Sequence, residues 1–88
     1  MYTLNDKINK LVIDGDIDAA LDLLEKEAPS FDNDVTLLKS SHAELLDNLM
    51  SGTISEEDFR LEMNKLRRSI LMLVDRVEDY KKGNNDIN

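Results

Sequence analysis

The chain contains no cysteine and no tryptophan, and only one proline and three glycines in 88 residues. Without cysteine it has no disulfide staples, no thiolate metal site and no cysteine nucleophile. With so little glycine and proline it has few places to turn, which points to an all-helical chain. No apolar run approaches the ~18–20 residues that cross a bilayer, and no charged-then-apolar leader opens the chain. A cytoplasmic protein that engages no membrane is therefore expected. Glycine-rich phosphate loops are absent as well. Positive charge is scarce, with 11 Lys and Arg against 19 Asp and Glu, a net charge of −8. Nucleic-acid binding rests on neutralising phosphates, so DNA and RNA are poor partners for this chain. Hydrophobic residues nevertheless make up 41% of the chain, too many for a disordered acidic tail. The length suits a single domain.

Helical periodicity runs through most of the sequence. Leu4, Ile8, Leu11 and Val12 share one helix face, with Thr3 or Asn5 placed to cap it and Gly15 to end it. Asp16 suits the N-cap of a second helix, which carries Ile17, Ala20, Leu21 and Leu24 inward and stops before Pro29. A third helix begins near Asp32 or Asp34, buries Val35, Leu38, Leu45, Leu46 and Leu49, and ends at Ser51-Gly52-Thr53. Ser55, with acids following, then caps a fourth helix. Its stripe of Phe59, Met63, Leu66, Ile70, Leu73, Val77 and Tyr80 is the most regular in the chain. The fold class expected is an all-α, compact four-helix bundle: a short αα-hairpin followed by two longer antiparallel helices. Residues 1–80 form the single domain, and residues 81–88, which lack periodicity, form a polar tail or linker.

Charge divides along this layout. Residues 1–58 carry −10, residues 59–82 carry +3 and the tail −1. An acidic front and a basic last helix attract each other, within the bundle or between copies.

Several candidate sites follow. Asp14-Gly15-Asp16-Ile17-Asp18 through Glu25 sets acids at positions 1, 3, 5, 9 and 12 of a twelve-residue calcium loop. Ala19 stands where the loop needs glycine, and the apolar spacing starts a helix inside it. The favoured reading is a helix N-terminus with dipole-stabilised acids and no metal. His42, the sole histidine, lies in the stripe of the third helix and is expected in or beside the core. It has no nucleophile partner: Ser41 points about 100° away on a helix. No catalytic residue, metal ligand or cofactor site is therefore assigned, and the protein is read as a non-enzyme. On the fourth helix Leu61, Lys65, Arg68 and Met72 fall opposite the core stripe and make a sticky, basic patch suited to a protein partner.

Certain of these segments occur together in a known family. Gly15-Asp16-Ile17-Asp18-Ala19-Ala20-Leu21-Asp22-Leu23-Leu24 resembles the "G-x-h-x-x-A-h-x-x-L" hairpin that opens the eleventh type of effector-associated domain. Leu37 to Leu45 is similar to its third-helix segment, Gly52-Thr53-Ile54-Ser55 to its "G-x-I-S" connector, and Asn64 to Leu71 to its "N-x-h-R-x-x-h-L" signature. The resemblance spans roughly residues 7–80. It implies a small helical adaptor of bacterial conflict systems, one that pairs with a like domain on another protein and couples a sensor to an effector. It also marks Gly15, Ala20, Gly52, Ile54, Asn64 and Arg67 as signature residues. Structural roles are expected of the last two, with Asn64 bonding toward the Gly52 connector and Arg67 bridging to an acid on a neighbouring helix.

The leading expectation is a homotypic interaction module. Its partner is a protein carrying a like domain, and self-association into a homo-oligomer is also expected. The acidic row Asp16, Asp18 and Asp22 of one copy would meet the basic fourth-helix face of the next. A small acidic inhibitor or DNA-mimic decoy is the alternative, and a dimerisation bundle fused to another domain a third.

Overall fold

A computed structural model describes residues 3–86, with side chains described as far as Lys82. Among the described residues there are four α-helices and one 3-10 turn. They are α1 (Leu4–Ile13), α2 (Ile17–Glu27), the 3-10 turn Pro29–Phe31, α3 (Asp32–Ser51) and α4 (Glu56–Asp86). The protein is an all-α four-helix bundle, as its periodicities predict.

The boundaries follow from local chemistry. The Thr3 hydroxyl accepts from the Asp6 amide while the Asp6 carboxylate accepts from the Thr3 amide, a reciprocal capping box. The Asp58 amide donates to the Ser55 hydroxyl at 3.1 Å and so opens α4. α1 and α3 close in the same way. The Asp16 amide reaches back to the Leu11 carbonyl and the Gly15 amide to Val12, while the Thr53 amide reaches Asn48 and the Gly52 amide Leu49. Each is a Schellman closure that needs a left-handed residue, supplied by Gly15 (φ 82°) and Gly52 (φ 75°). Pro29 opens the 3-10 turn, where its missing N–H costs nothing.

α1 and α2 form a short hairpin laid across a much longer one made of α3 and α4. α1 and α3 each pack against both α2 and α4, and one hydrophobic core joins all four helices. Ile8, Ala20, Leu21, Leu24, Val35, Ile70, Val74 and Val77 are completely buried. Val74 lies beside the expected α4 stripe: α4 meets α1 as well as α3, so its apolar face is wider than one seam. Tyr80, placed at the end of that stripe, is half exposed and packs edge-on against Phe31 with centroids 5.6 Å apart. His42 is buried at 7% exposure, in line with its position in the α3 stripe.

Two expectations need correction. Leu46, assigned to the α3 core stripe, is 38% exposed. The stripe is real, but α3 outruns the helices that cover it. Residues 81–86 continue α4 rather than forming a polar tail. A helix once nucleated extends at little cost, so the loss of apolar periodicity does not end it. Ile87 and Asn88 lie outside the described residues. At 1.5 Å per residue α4 is about 46 Å long, and it draws the bundle out to 52 × 25 × 17 Å. The radius of gyration is 14.3 Å, against about 12 Å for a chain of this length at globular density.

Candidate interaction surface

The acidic row on α2 is oriented by α3. Asp16 caps α2, its carboxylate accepting from the Ala19 amide at 3.4 Å. Asp18 Oδ1 lies 3.1 Å from His42 Nδ1, and because a carboxylate only accepts, the imidazole Nδ1–H donates. Asp22 and Glu25 converge on Lys39 Nζ at 2.9 and 3.1 Å. The hydrogen bond to Asp22, followed by that to Glu25, holds the Lys39 ammonium above its ordinary pKa of 10.5. Acids at 18, 22 and 25 occupy one helix face, and Lys39 and His42 occupy the facing one. Two acids of the expected row, Asp18 and Asp22, thus tie α2 to α3 within the bundle. Their side chains stay 80% and 71% exposed for Asp18 and Asp22, so these links orient the hairpin more than they stabilise it. Lys39 and Glu25 were missed by sequence reasoning. A lone base one turn before the lone histidine, in an otherwise acidic stretch, was the available signal.

The same contacts remove the calcium-loop arrangement. α2 begins at Ile17, inside the twelve-residue segment, and a helix spreads its carboxylates around and along its axis. Among the described residues no group of three or more Asp, Glu, His or Cys side chains is poised to hold a metal ion.

Leu61, Lys65, Arg68 and Met72 are all exposed on α4. Lys65 pairs with Glu62 on its own helix at 3.4 Å. Lys65 and Met72 border a shallow groove that follows the α3–α4 seam on the side away from α1 and α2. Two recesses meet in this groove at Leu38 and Ser69, and it ends between Leu37 and Arg76. Leu61 and Arg68 do not line it. Leu37, which sequence reasoning used only as a point of resemblance, is 67% exposed and faces Met72 at 61% across the groove. Arg76 closes that end, with its guanidinium over the Phe31 ring at 5.5 Å and 3.9 Å from Asp34.

Of the signature positions, Ala20 is fully buried and Ile54 half-buried, and Gly15 and Gly52 close their helices. Asn64 and Arg67 depart from the expected contacts. Arg67 Nη1 donates to Asn64 Oδ1 at 3.2 Å on the same helix, and among the described residues Arg67 forms no ion pair. Arg67 Nε is buried with no hydrogen-bond partner among the described residues. The connector is held from the other side. The Thr53 hydroxyl bonds the Asn48 carbonyl and the Asn48 side chain, each at 3.1 Å. Asn48 precedes the connector by one helical turn and reaches it directly, which position 64, nine residues past Ser55, cannot do.

A bundle of four helices with an oriented acidic hairpin and an open groove, polar at one end and apolar at the other, has the form of a small helical domain. The family model for effector-associated domain 11 matches residues 3–88. The chain therefore belongs to the effector-associated domain 11 family over essentially its whole length. No curated protein and no solved structure matches it.

Proposed function

We propose that this domain is a non-catalytic adaptor of a bacterial conflict or defence system, coupling a sensor to an effector by homotypic association with a like domain. The observation that carries the reading is the distribution of exposed large apolar residues. Among the described residues Leu37 and Met72, 67% and 61% exposed, meet across one groove of the long α3–α4 hairpin. A soluble monomer scatters such residues; a docking surface gathers them. Leu61, Lys65, Arg68 and Met72, with Leu37 across the groove, form one half of the contact. The acidic row Asp16, Asp18 and Asp22, its last two members held in place by His42 and Lys39, forms the other half on the next copy. A heterologous contact of this kind propagates until it closes or forms a filament. The internal ties of Asp18 and Asp22 also weigh against an acidic decoy, whose carboxylates would be arrayed for a basic groove. No helix among the described residues is long and apolar enough to cross a membrane, and a cytoplasmic location agrees with the proposed role.

The test is retention of a purified second protein bearing an effector-associated domain by the tagged chain. The doubly substituted L37D/M72D chain should release it while melting at the parent temperature. Equal retention by that variant overturns the groove as the docking surface, and capture of a nuclease in place of a like domain favours the decoy.

A further inference from the structure

The α1–α2 hairpin covers only half of the long one. Its polar ties reach α3 at Lys39 and His42 and reach α4 at Asp75 and Glu78. Past the α1–α2 turn the α3–α4 tip continues alone, and no residue from 43 to 62 is buried. The row on α3 that meets α2, Lys39 and His42, carries on at helical spacing as Leu46, Leu49 and Met50. The row on α4 that meets α1, Ile70 and Val74, carries on as Met63 and Phe59. Leu49, Phe59 and Met63 line a recess of about 500 Å³ together with Glu56, Arg60 and Arg67. The apolar inner face thus continues to the tip: Met63, 8% exposed, is the last residue of the covered core, Leu49 and Phe59 beyond it are half-buried, and Leu46 and Met50 are exposed.

Charge on this shelf is self-complementary. Glu56 and Arg67 stand eleven residues apart, three helical turns and about 16 Å along the same face of α4. Neither belongs to an ion pair among the described residues. Arg67 is half-buried, bonded only to a neutral amide, with its Nε unsatisfied. A guanidinium whose outer nitrogens meet only a neutral amide is best partnered by a carboxylate. Reversing the shelf about a two-fold axis near its centre brings Glu56 of one copy to Arg67 of the other, twice, with the half-buried Phe59 of each copy between them.

We propose that the uncovered inner face of the α3–α4 tip is a two-fold contact between copies of this chain. Each copy's tip supplies the other with the two-helix layer that α1 and α2 supply to the opposite half. The proposal rests on reading the domain as a homotypic module, and it places a closed dimer contact on a different face from the outer groove. Isologous two-fold contacts of this kind are the commonest mode of self-association.

Sedimentation of the full chain over a concentration series tests it. The parent should form dimers and not larger species through this face. Glu56→Arg and Arg67→Glu should each raise the dimer dissociation constant at least about tenfold, by setting like charges opposite each other at both ends. Mixed in equal amounts, the two variants should recover a one-to-one dimer, since both contacts again join Glu to Arg. Within one chain the two positions are too far apart to pair, so recovery has to arise between copies. Melting curves within a few degrees of the parent certify that each variant is folded. A monomeric parent, or variants that fail to complement each other, overturns the proposal. The L37D/M72D chain separates the two readings: it should still dimerise while losing its partner. Dimer loss in that chain, with the shelf intact, also counts against the shelf.

Discussion

Substituting Gly15 and Gly52 tests whether helix closure at the two turns is a matter of backbone conformation alone. Both glycines hold positive φ, at 82° and 75°, and a Cβ built on either meets nothing within 4 Å. Any cost of Gly→Ala is therefore conformational rather than steric. A left-handed L-residue costs about 1–2 kcal/mol, offset by about 0.4–1 kcal/mol because alanine has less freedom to lose from the unfolded chain. The net loss is about 1 kcal/mol per site. Unfolding entropy near 2.1 cal/mol/K per residue gives about 0.18 kcal/mol/K for this chain, so each L-Ala should lower the melting temperature by about 5 °C. The turns close different helices, and the double variant should lose about twice as much. A D-alanine introduced by chemical synthesis reverses the sign. It favours positive φ, finds the same open space and restricts the unfolded chain, so the melting temperature should rise by about 2–5 °C. Far-UV circular dichroism melts measure all of these. An L-Ala chain that melts with the parent, or a D-Ala chain that melts below it, would refute the conformational account.

Two further predictions concern the core and the α2–α3 tie. Leu24→Ala, at a site with 0% exposure in the centre of the core, should cost about 2–5 kcal/mol by urea denaturation. Leu61→Ala, at 54% exposure, should stay within about 0.5 kcal/mol; similar losses at both sites would contradict the assignment of inside and outside. Lys39 is held above its ordinary pKa of 10.5, first by Asp22 and then by Glu25. A raised folded value means that its contribution is complete below 10.5 and fades as pH climbs through that folded value. Melting curves of the parent and Lys39→Met should accordingly converge in the alkaline range, and a constant gap would show that the tie is not electrostatic.

The four helices were legible because each carries its own start, stop and inward stripe. Thr3, Asp16 and Ser55 cap, Gly15 and Gly52 close, and Ile17, Ala20, Leu21 and Leu24 mark an inner face without reference to any other helix. Family membership was legible for a related reason, since two of its motifs sit at these same turns and the other two lie within single helices. Leu46 was misread, and Val74 lay outside the expected stripe, because their surroundings come from other helices, whereas Asn64 and Arg67 bond each other along α4 instead of reaching across. Val74 is buried on a helix that packs against α1 as well as α3. Leu46 is exposed because α2 does not extend far enough to reach it.

The candidate surface divides along the same line. The residues of the outer α4 patch, and their exposure, followed from their position opposite the stripe. The pairing of Asp18 with His42 and of Asp22 with Lys39 joins residues 24 and 17 positions apart, and only the crossing of α2 on α3 brings them together. Periodicity, capping and charge are local quantities, so the sequence alone determined a four-helix chain with an acidic front and a basic last helix. How far one hairpin covers another depends on helix lengths and register together. The tertiary structure alone therefore decided that the apolar face of α3 and α4 runs on past its cover to the tip.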